Sequence, residues 1–360
     1  MNRPEVAHPW GHMARGPVRL GVIGCGRIAQ VAHLPAIEKA DGVSLVALAD
    51  PSSDLREAVG RRHGVRAVYA APEELLADPH VDAVIVATPD RFHYAITKVA
   101  LERGIHVLVE KPLAATIWEA EQLVEIADAS TAVLQVGAMK RHDPGMEQAQ
   151  IAIATLGRIL SFSTWYRVPV IRPGIEATLF PPLAVDPSVR ATENAAKADR
   201  TKYLLWTHSA HLFDSVRHLL GDVESVTGTR SNVGADYAWQ GVMSLAAGGV
   251  GTYELTVNTH GEWSEGFQIN GEHGSMTIDT YFPFFRRASR TRVYADATQS
   301  WTEAVFDDTN AYERQLESFA RAILDSGVVS PDARDGLAVV RLITAVAESI
   351  DSGGLSRVLV

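Results

Sequence analysis

Short runs of β-branched and apolar residues alternate with stretches of helical spacing along the first third of the chain. Val18 to Ile23, Val43 to Ala49, Asp82 to Ala87 and His106 to Val109 each read as a strand buried on both faces. Between them Ile28 to Lys39 and Tyr94 to Arg103 carry helical spacing, with Pro35 placed to kink or restart the first helix. Such alternation predicts an α/β fold with a doubly wound parallel sheet. The pattern changes further on. Ile159 to Tyr166, Ser225 to Arg230 and Gly251 to Val257 are β-rich, whereas His208 to Leu220, Tyr312 to Leu324 and Arg334 to Asp351 are helical. Pro169 to Lys202, Pro-rich and polar, is expected to be a long surface loop that covers the substrate or reaches a neighbouring subunit. No internal repeat or low-complexity segment is evident.

The first strand runs directly into Gly24-Cys25-Gly26-Arg27-Ile28-Ala29, a G-x-G-x-x-A turn opening a helix. Gly24 permits the tight turn, Gly26 lets backbone approach a pyrophosphate, and Ala29 allows close helix–strand packing. The helix N-terminus adds N–H groups and a positive dipole end. Asp50 closes the second strand where a carboxylate meets ribose hydroxyls. A carboxylate repels a 2′-phosphate and no Arg follows at once, so NAD is expected rather than NADP. Ligands of such sheets sit at the carboxyl ends of the strands. Ala87-Thr88-Pro89 and Glu110-Lys111-Pro112 therefore point at the cofactor crevice.

A chain of 360 residues suits two domains, which we place at 17–140 and 141–360 behind a disordered extension at 1–16. That extension lacks the apolar centre of a signal peptide. A net charge of −10 argues against nucleic-acid and anionic-membrane partners, and no apolar run is long enough for a transmembrane helix. The single cysteine, Cys25, excludes an intrachain disulfide and fits a reducing cytoplasm. Inside a glycine-rich turn it is explained by its small size.

Val109-Glu110-Lys111-Pro112-Leu113 at a strand end, downstream of Ala87-Thr88-Pro89 and His93, resembles the glucose–fructose oxidoreductase/inositol dehydrogenase (Gfo/Idh/MocA) family. The resemblance extends from Val18 nearly to the end. It takes in Gln135-Val136-Gly137 with Met139 to Pro144 at the domain crossing, Leu156 to Ile159, Gly271 to Ile278, and Tyr312 to Phe319. It implies a second α/β domain on a large, mostly antiparallel open sheet, helices on one face and commonly a subunit interface on the other. A homodimer or homotetramer and a sugar, glycoside or cyclitol substrate are expected on the same basis. The cofactor contacts it suggests are Gly24, Cys25, Gly26, Arg27, Ile28, Asp50, Ala87, Thr88, Pro89, His93, Glu110 and Lys111.

Oxidising a secondary alcohol with NAD requires a hydride acceptor, which the cofactor supplies, and a group to take the hydroxyl proton. In the resembled family the lysine of Glu-Lys-Pro reaches the reacting oxygen, so Lys111 is expected to stabilise a developing alkoxide. The family also carries an Asp followed four residues later by a His. Aligning Leu205 to Asp214 puts His211 at that histidine and Thr207 at the aspartate, a departure from the pattern. Threonine stores no proton near neutral pH, whereas histidine does. His211 is therefore expected as general base, with Thr207 orienting substrate or histidine. His208 either contacts substrate or caps the helix start, and Tyr166 ends a strand facing the cleft. Lys140 and Arg141 either touch the ligands or are exposed charge, Trp165 is explained equally by core packing, and Asn258, His260 and Trp263 have no assigned place. A metal at His208, His211 and Asp214 is not expected. Two other readings stay open: NAD held tightly and used in a closed redox cycle on glycosides, and a dinucleotide-binding sensor that has lost catalysis.

Overall fold

The computed structural model describes residues 16–181 and 183–359; the proposed extension lies, but for Gly16, outside them. Six parallel strands form the first sheet: β1 (Val18–Ile23), β2 (Val43–Ala49), β3 (Ala67–Tyr69), β4 (Ala83–Val86), β5 (His106–Glu110) and β6 (Leu134–Gly137). Their spatial order is β3-β2-β1-β4-β5-β6, reversing direction between β1 and β4. The apolar runs are explained by two covered faces. Ala83 and Ile85 enter one core, while Val84 and Val86 enter the other. The Pro35 interruption takes the form of a π-turn at Ala29–His33 that feeds Leu34–Ile37. A wider turn accommodates a residue that has no N–H and whose ring crowds the preceding carbonyls.

The second sheet has nine strands: β7 (Ile159–Pro169), β8 (Val223–Val233), β9 (Asp236–Leu245), β10 (Val250–Thr259), β11 (Ser264–Gly271), β12 (Gly274–Thr280), β13 (Arg290–Ala295), β14 (Ser300–Glu303) and β15 (Ser356–Arg357). They lie in the order β14-β13-β12-β11-β7-β10-β9-β8-β15, antiparallel except where β10 runs beside β7. Along β7 the side chains of Phe162, Thr164, Tyr166 and Val168 are buried, and Ser161, Ser163, Trp165 and Arg167 lie on the opposite, more open face. Helix Arg200–Leu220 packs on the buried face through Leu205, Leu212, Phe213 and Val216. It starts eight residues earlier than the sequence suggests, where the Asp199 carboxylate accepts the Lys202 amide at 2.9 Å.

Two observations change the expected organisation. The segment after β7 is not a loop: it contains helices Arg172–Leu179 and Pro187–Ala196, and it lies against the chain's own first domain. Helix Ala311–Leu324, late in sequence, puts Tyr312, Leu316, Phe319 and Ala320 into the core that holds Leu20, Val22 and Ile85. Their spacing of four, three and one makes a single apolar stripe, and each large side chain so buried stabilises by roughly 1.5–3 kcal/mol. The first core is thus completed by residues far beyond position 140. Among the described residues no helix is long and apolar enough to cross a membrane.

Candidate active site

The glycine turn lies at the carboxyl end of β1, beside the reversal of strand order. Gly24 has φ +96°, and a Cβ there would come 2.7 Å from the Ala87 carbonyl oxygen, so only glycine fits. A Cβ on Gly26 would meet nothing within 4 Å, which leaves open space where a pyrophosphate needs it. Asp50 is buried at the end of β2 and accepts the Cys25 amide at 2.8 Å and the Ser52 amide at 2.9 Å. Burial raises its pKa above the usual carboxylate range, opposed by those two amides. Cys25 is fully buried and its thiol is pushed up to about 12 by burial, then by Asp50, so it is packing and not a nucleophile. The Thr88 hydroxyl is buried with no partner among the described residues. An open glycine edge, an orphaned hydroxyl and a terminal carboxylate fit a dinucleotide.

Other expected cofactor residues are committed to protein. His93 is buried, with Nδ1 2.8 Å from the Pro112 carbonyl and Nε2 2.9 Å from the Thr88 carbonyl, so it braces two strand ends. Glu110 meets His33 Nε2 at 2.8 Å with one oxygen and accepts the Lys111 amide at 3.2 Å with the other. Burial opposes its ionisation, yet His33 and Lys111 together hold it below the usual range. The Arg27 guanidinium is paired with Glu176 of the bridging segment, and Ile28 packs on the first core.

Lys111, at the end of β5, extends toward the second domain, where its ammonium donates to the Thr207 carbonyl at 3.4 Å. Burial lowers its pKa from the ordinary lysine value, with Glu110 pulling the other way. One helical turn beyond Thr207 stands His211. Its ring is parallel to Tyr166 with centroids 5.9 Å apart, and His208 is 5.8 Å from the same tyrosine. Burial, followed by the charges of Lys111 and Lys140, holds the His211 imidazole well below the ordinary histidine range, and therefore neutral. His208 is depressed likewise by burial and then Arg172.

Of the two basic residues at the domain crossing, Lys140 belongs to this wall. It lies over the Tyr166 ring at 4.4 Å and pairs with buried Glu265, whose second oxygen has no partner among the described residues. Arg141 does not. It is buried and grips Asp214 through Nε and Nη2, at 2.9 and 2.7 Å, and Asp335 at 2.9 Å. Both Asp214 oxygens are thereby engaged by Arg141, and no group of three potential metal ligands occurs among the described residues. Trp263 sits edge-on to Tyr166 at 5.3 Å, Asn258 takes φ +67° at the end of β10, and His260 is exposed beside Asp236. Sequence reasoning missed Glu265, Arg172 and Glu176. Glu265 faces Tyr166 through β7–β11 register, which no local signal records. Arg172 and Glu176 were hidden in a segment read as loop, although their spacing of four is an ion-pair signal on a helix.

A doubly wound sheet with this turn, joined to a large antiparallel layer that returns charged and imidazole groups to the strand ends, is the build of a two-domain nicotinamide-dependent oxidoreductase. Comparison with known proteins agrees. The oxidoreductase family's NAD-binding Rossmann fold matches residues 18–138, and its C-terminal alpha/beta domain matches 198–358. The chain belongs to the Gfo/Idh/MocA family and is an NAD(P)-dependent dehydrogenase. It is 25% identical to a D-xylose 1-dehydrogenase (NADP(+)) of Haloferax volcanii, over 92% of this chain and 97% of that one. With D-glucoside 3-dehydrogenase of Escherichia coli it shares 26% identity over 95% and 97% of the two chains. A solved levoglucosan dehydrogenase in complex with NADH and levoglucosan has the same fold, with TM-score 0.79, 23% identity, and 95% and 99% coverage.

Proposed function

We propose that the protein transfers hydride between NAD and a secondary alcohol of a sugar, glycoside or cyclitol, with Lys111 polarising the oxygen and His211 moving the proton. The observation that carries this reading is the approach of the Lys111 ammonium to the turn of helix that bears His211. The bound nicotinamide supplies hydride acceptance and donation. A charged amine stabilises oxygen anion character, and a neutral imidazole has a free ring nitrogen to accept the hydroxyl proton. Tyr166 fixes the imidazole plane, and Thr207 orients substrate or histidine without storing a proton. Gly24, Gly26, Thr88 and Asp50 would hold the dinucleotide, Asp50 favouring the free ribose of NAD over a 2′-phosphate. Relatives named for xylose and glucosides support a polyhydroxylated substrate. The exposed face of the nine-stranded sheet supports a homodimer or homotetramer, and a lone buried cysteine suits the cytoplasm.

A specific observation favours the second reading, in which the cofactor stays bound through a closed redox cycle. The bridging segment ties the second domain to the cofactor side of the first, with Gln30 bonded to Ala184 and Arg91 to Glu193. The test is a panel of sugars, glycosides and cyclitols incubated with purified protein, with and without added NAD, followed by NADH absorbance and by product analysis. NADH formation supports simple dehydrogenation, and product without added NAD supports the cycle. Retained NAD binding with no product from any polyol sinks both.

A further inference from the structure

The bridging segment belongs to the second domain in sequence, yet its anchors are on the first. The Gln30 carboxamide exchanges bonds of 3.0 and 2.9 Å with the Ala184 backbone, and Arg91 donates to Glu193. Between these anchors, Asp186 Oδ2 accepts the Ser52 hydroxyl at 2.6 Å. Ser52 is two residues past Asp50, the carboxylate that closes β2 where the adenosine ribose of a dinucleotide lies in this fold class.

The geometry points to Asp186 as a coenzyme-specificity residue, which brings a second carboxylate from the other domain to the ribose corner and disfavours a 2′-phosphate. This rests on the NAD reading above. The carboxylate is held on both sides. Oδ1 caps helix Pro187–Ala196 by accepting the Ser188 amide at 2.8 Å and the Val189 amide at 3.3 Å, and it also accepts the Ser188 hydroxyl at 2.7 Å. Ser52 Oγ accepts the Leu55 amide at 3.2 Å, so its own proton is free to go to Asp186. These bonds, led by the Ser188 and Ser52 hydroxyls, lower the acid to about 2 and keep it charged. Its charge reaches Asp50, whose ionisation it opposes. Among the described residues the cation acting on Asp50 is Arg56, which donates to the carbonyls of Asp50 and Pro51 at 3.3 and 3.2 Å. With Asp186 ionised, a 2′-phosphate meets two carboxylates and one guanidinium; with Asp186 neutral, the charges balance.

Asp186→Asn tests this in the full chain, because the one side-chain oxygen of asparagine keeps the helix cap and its amide can donate to the Ser52 oxygen, while the charge is removed. Dissociation constants for NAD and NADP are measured by titration of tryptophan fluorescence, without substrate. In Asp186→Asn the preference for NAD over NADP should shrink about tenfold, the size of one like charge at this range in partly exposed surroundings, with NAD affinity little changed. Glu193→Gln loosens the same segment at Arg91 but leaves the ribose corner charged, so it should weaken both coenzymes alike and keep their ratio. An unchanged ratio in Asp186→Asn, or a shift matched by Glu193→Gln, overturns the assignment while leaving the NAD reading intact. Wild-type protein that binds NADP more tightly than NAD overturns both.

Discussion

The Lys111 ammonium lies 3.4 Å from the Thr207 carbonyl, which joins the end of β5 in the first domain to helix Arg200–Leu220 in the second. No aspartate stands at position 207, so the amine meets a backbone oxygen where a side-chain carboxylate would otherwise compete for it. Lys111, Lys140 and Arg172 all act on His211, and Glu265 and Glu176 are already spent on Lys140 and on the two arginines. The result is an imidazole kept neutral by burial first and by positive neighbours second.

Removing either proposed group should cost turnover more than coenzyme affinity. Lys111→Ala is expected to lower kcat by about 10²–10³, as loss of an oxyanion-stabilising donor does. His211→Ala is expected to lower it by about 10²–10⁴. Steady-state kinetics with fluorescence titration of NAD separates the effects; a His211→Ala enzyme with wild-type kcat removes the histidine from the mechanism.

The pH profile follows from the direction of both shifts. His211 must be neutral to accept a proton, and its depressed pKa extends the neutral form downward. The acid limb of kcat/KM should therefore fall below the ordinary imidazole value of 6.5. Lys111 must be charged, and its depressed pKa brings the alkaline limb below 10.5. Thr207→Asp puts a carboxylate beside both groups, favours their charged forms and should move both limbs upward. Limbs that stay in place in Thr207→Asp would show that neither reports these residues.

Tyr166 should matter for its ring and not for its proton. Burial, then Glu265, raises its phenol far above the working range, so it keeps its hydrogen. Tyr166→Phe should retain the pH profile, whereas Tyr166→Ala, which frees the His211 and His208 rings, should lose at least about tenfold in kcat. A changed profile in the phenylalanine variant would assign the hydroxyl a part in proton transfer.

Arg141 is a stability residue in this arrangement. Its side chain and that of Asp214 are 6% and 7% exposed. Arg141→Ala strands a buried carboxylate and should destabilise by about 3–5 kcal/mol. Urea denaturation measures this, and a loss below about 1 kcal/mol would return Arg141 to the ligand-contacting candidates.

Legibility differed from element to element. Val18–Ile23 with Gly24 to Ala29 declared itself because strand, turn and helix are all local, and the φ of +96° at Gly24 is a demand that sequence states directly. Helix Arg200–Leu220 starts earlier than its sequence suggests, since Arg200 to Lys202 are polar and the apolar run Tyr203 to Trp206 has no helical spacing of its own. The bridging helices were misread because proline marks both a loop and a helix start. Here Pro173 and Pro187 stand in first turns, where a missing N–H costs nothing.

Chain order and local chemistry alone determined the parallel sheet, the glycine turn and the carboxylate at the end of β2, whereas the expected pairing of Lys111 with a histidine-bearing helix came from the family resemblance and spans 96 positions at its contact with Thr207. The sheet, the turn and the carboxylate depend on period, on φ and on residues within a few positions of each other. Tertiary structure decided which charges share the cleft: Lys140 faces it while Arg141 is locked away on Asp214, although the two are adjacent. It also decided that Ser52 meets Asp186 across 134 positions. Burial and Coulomb energies depend on distance in space, and sheet register and domain packing set that distance only after the chain has folded.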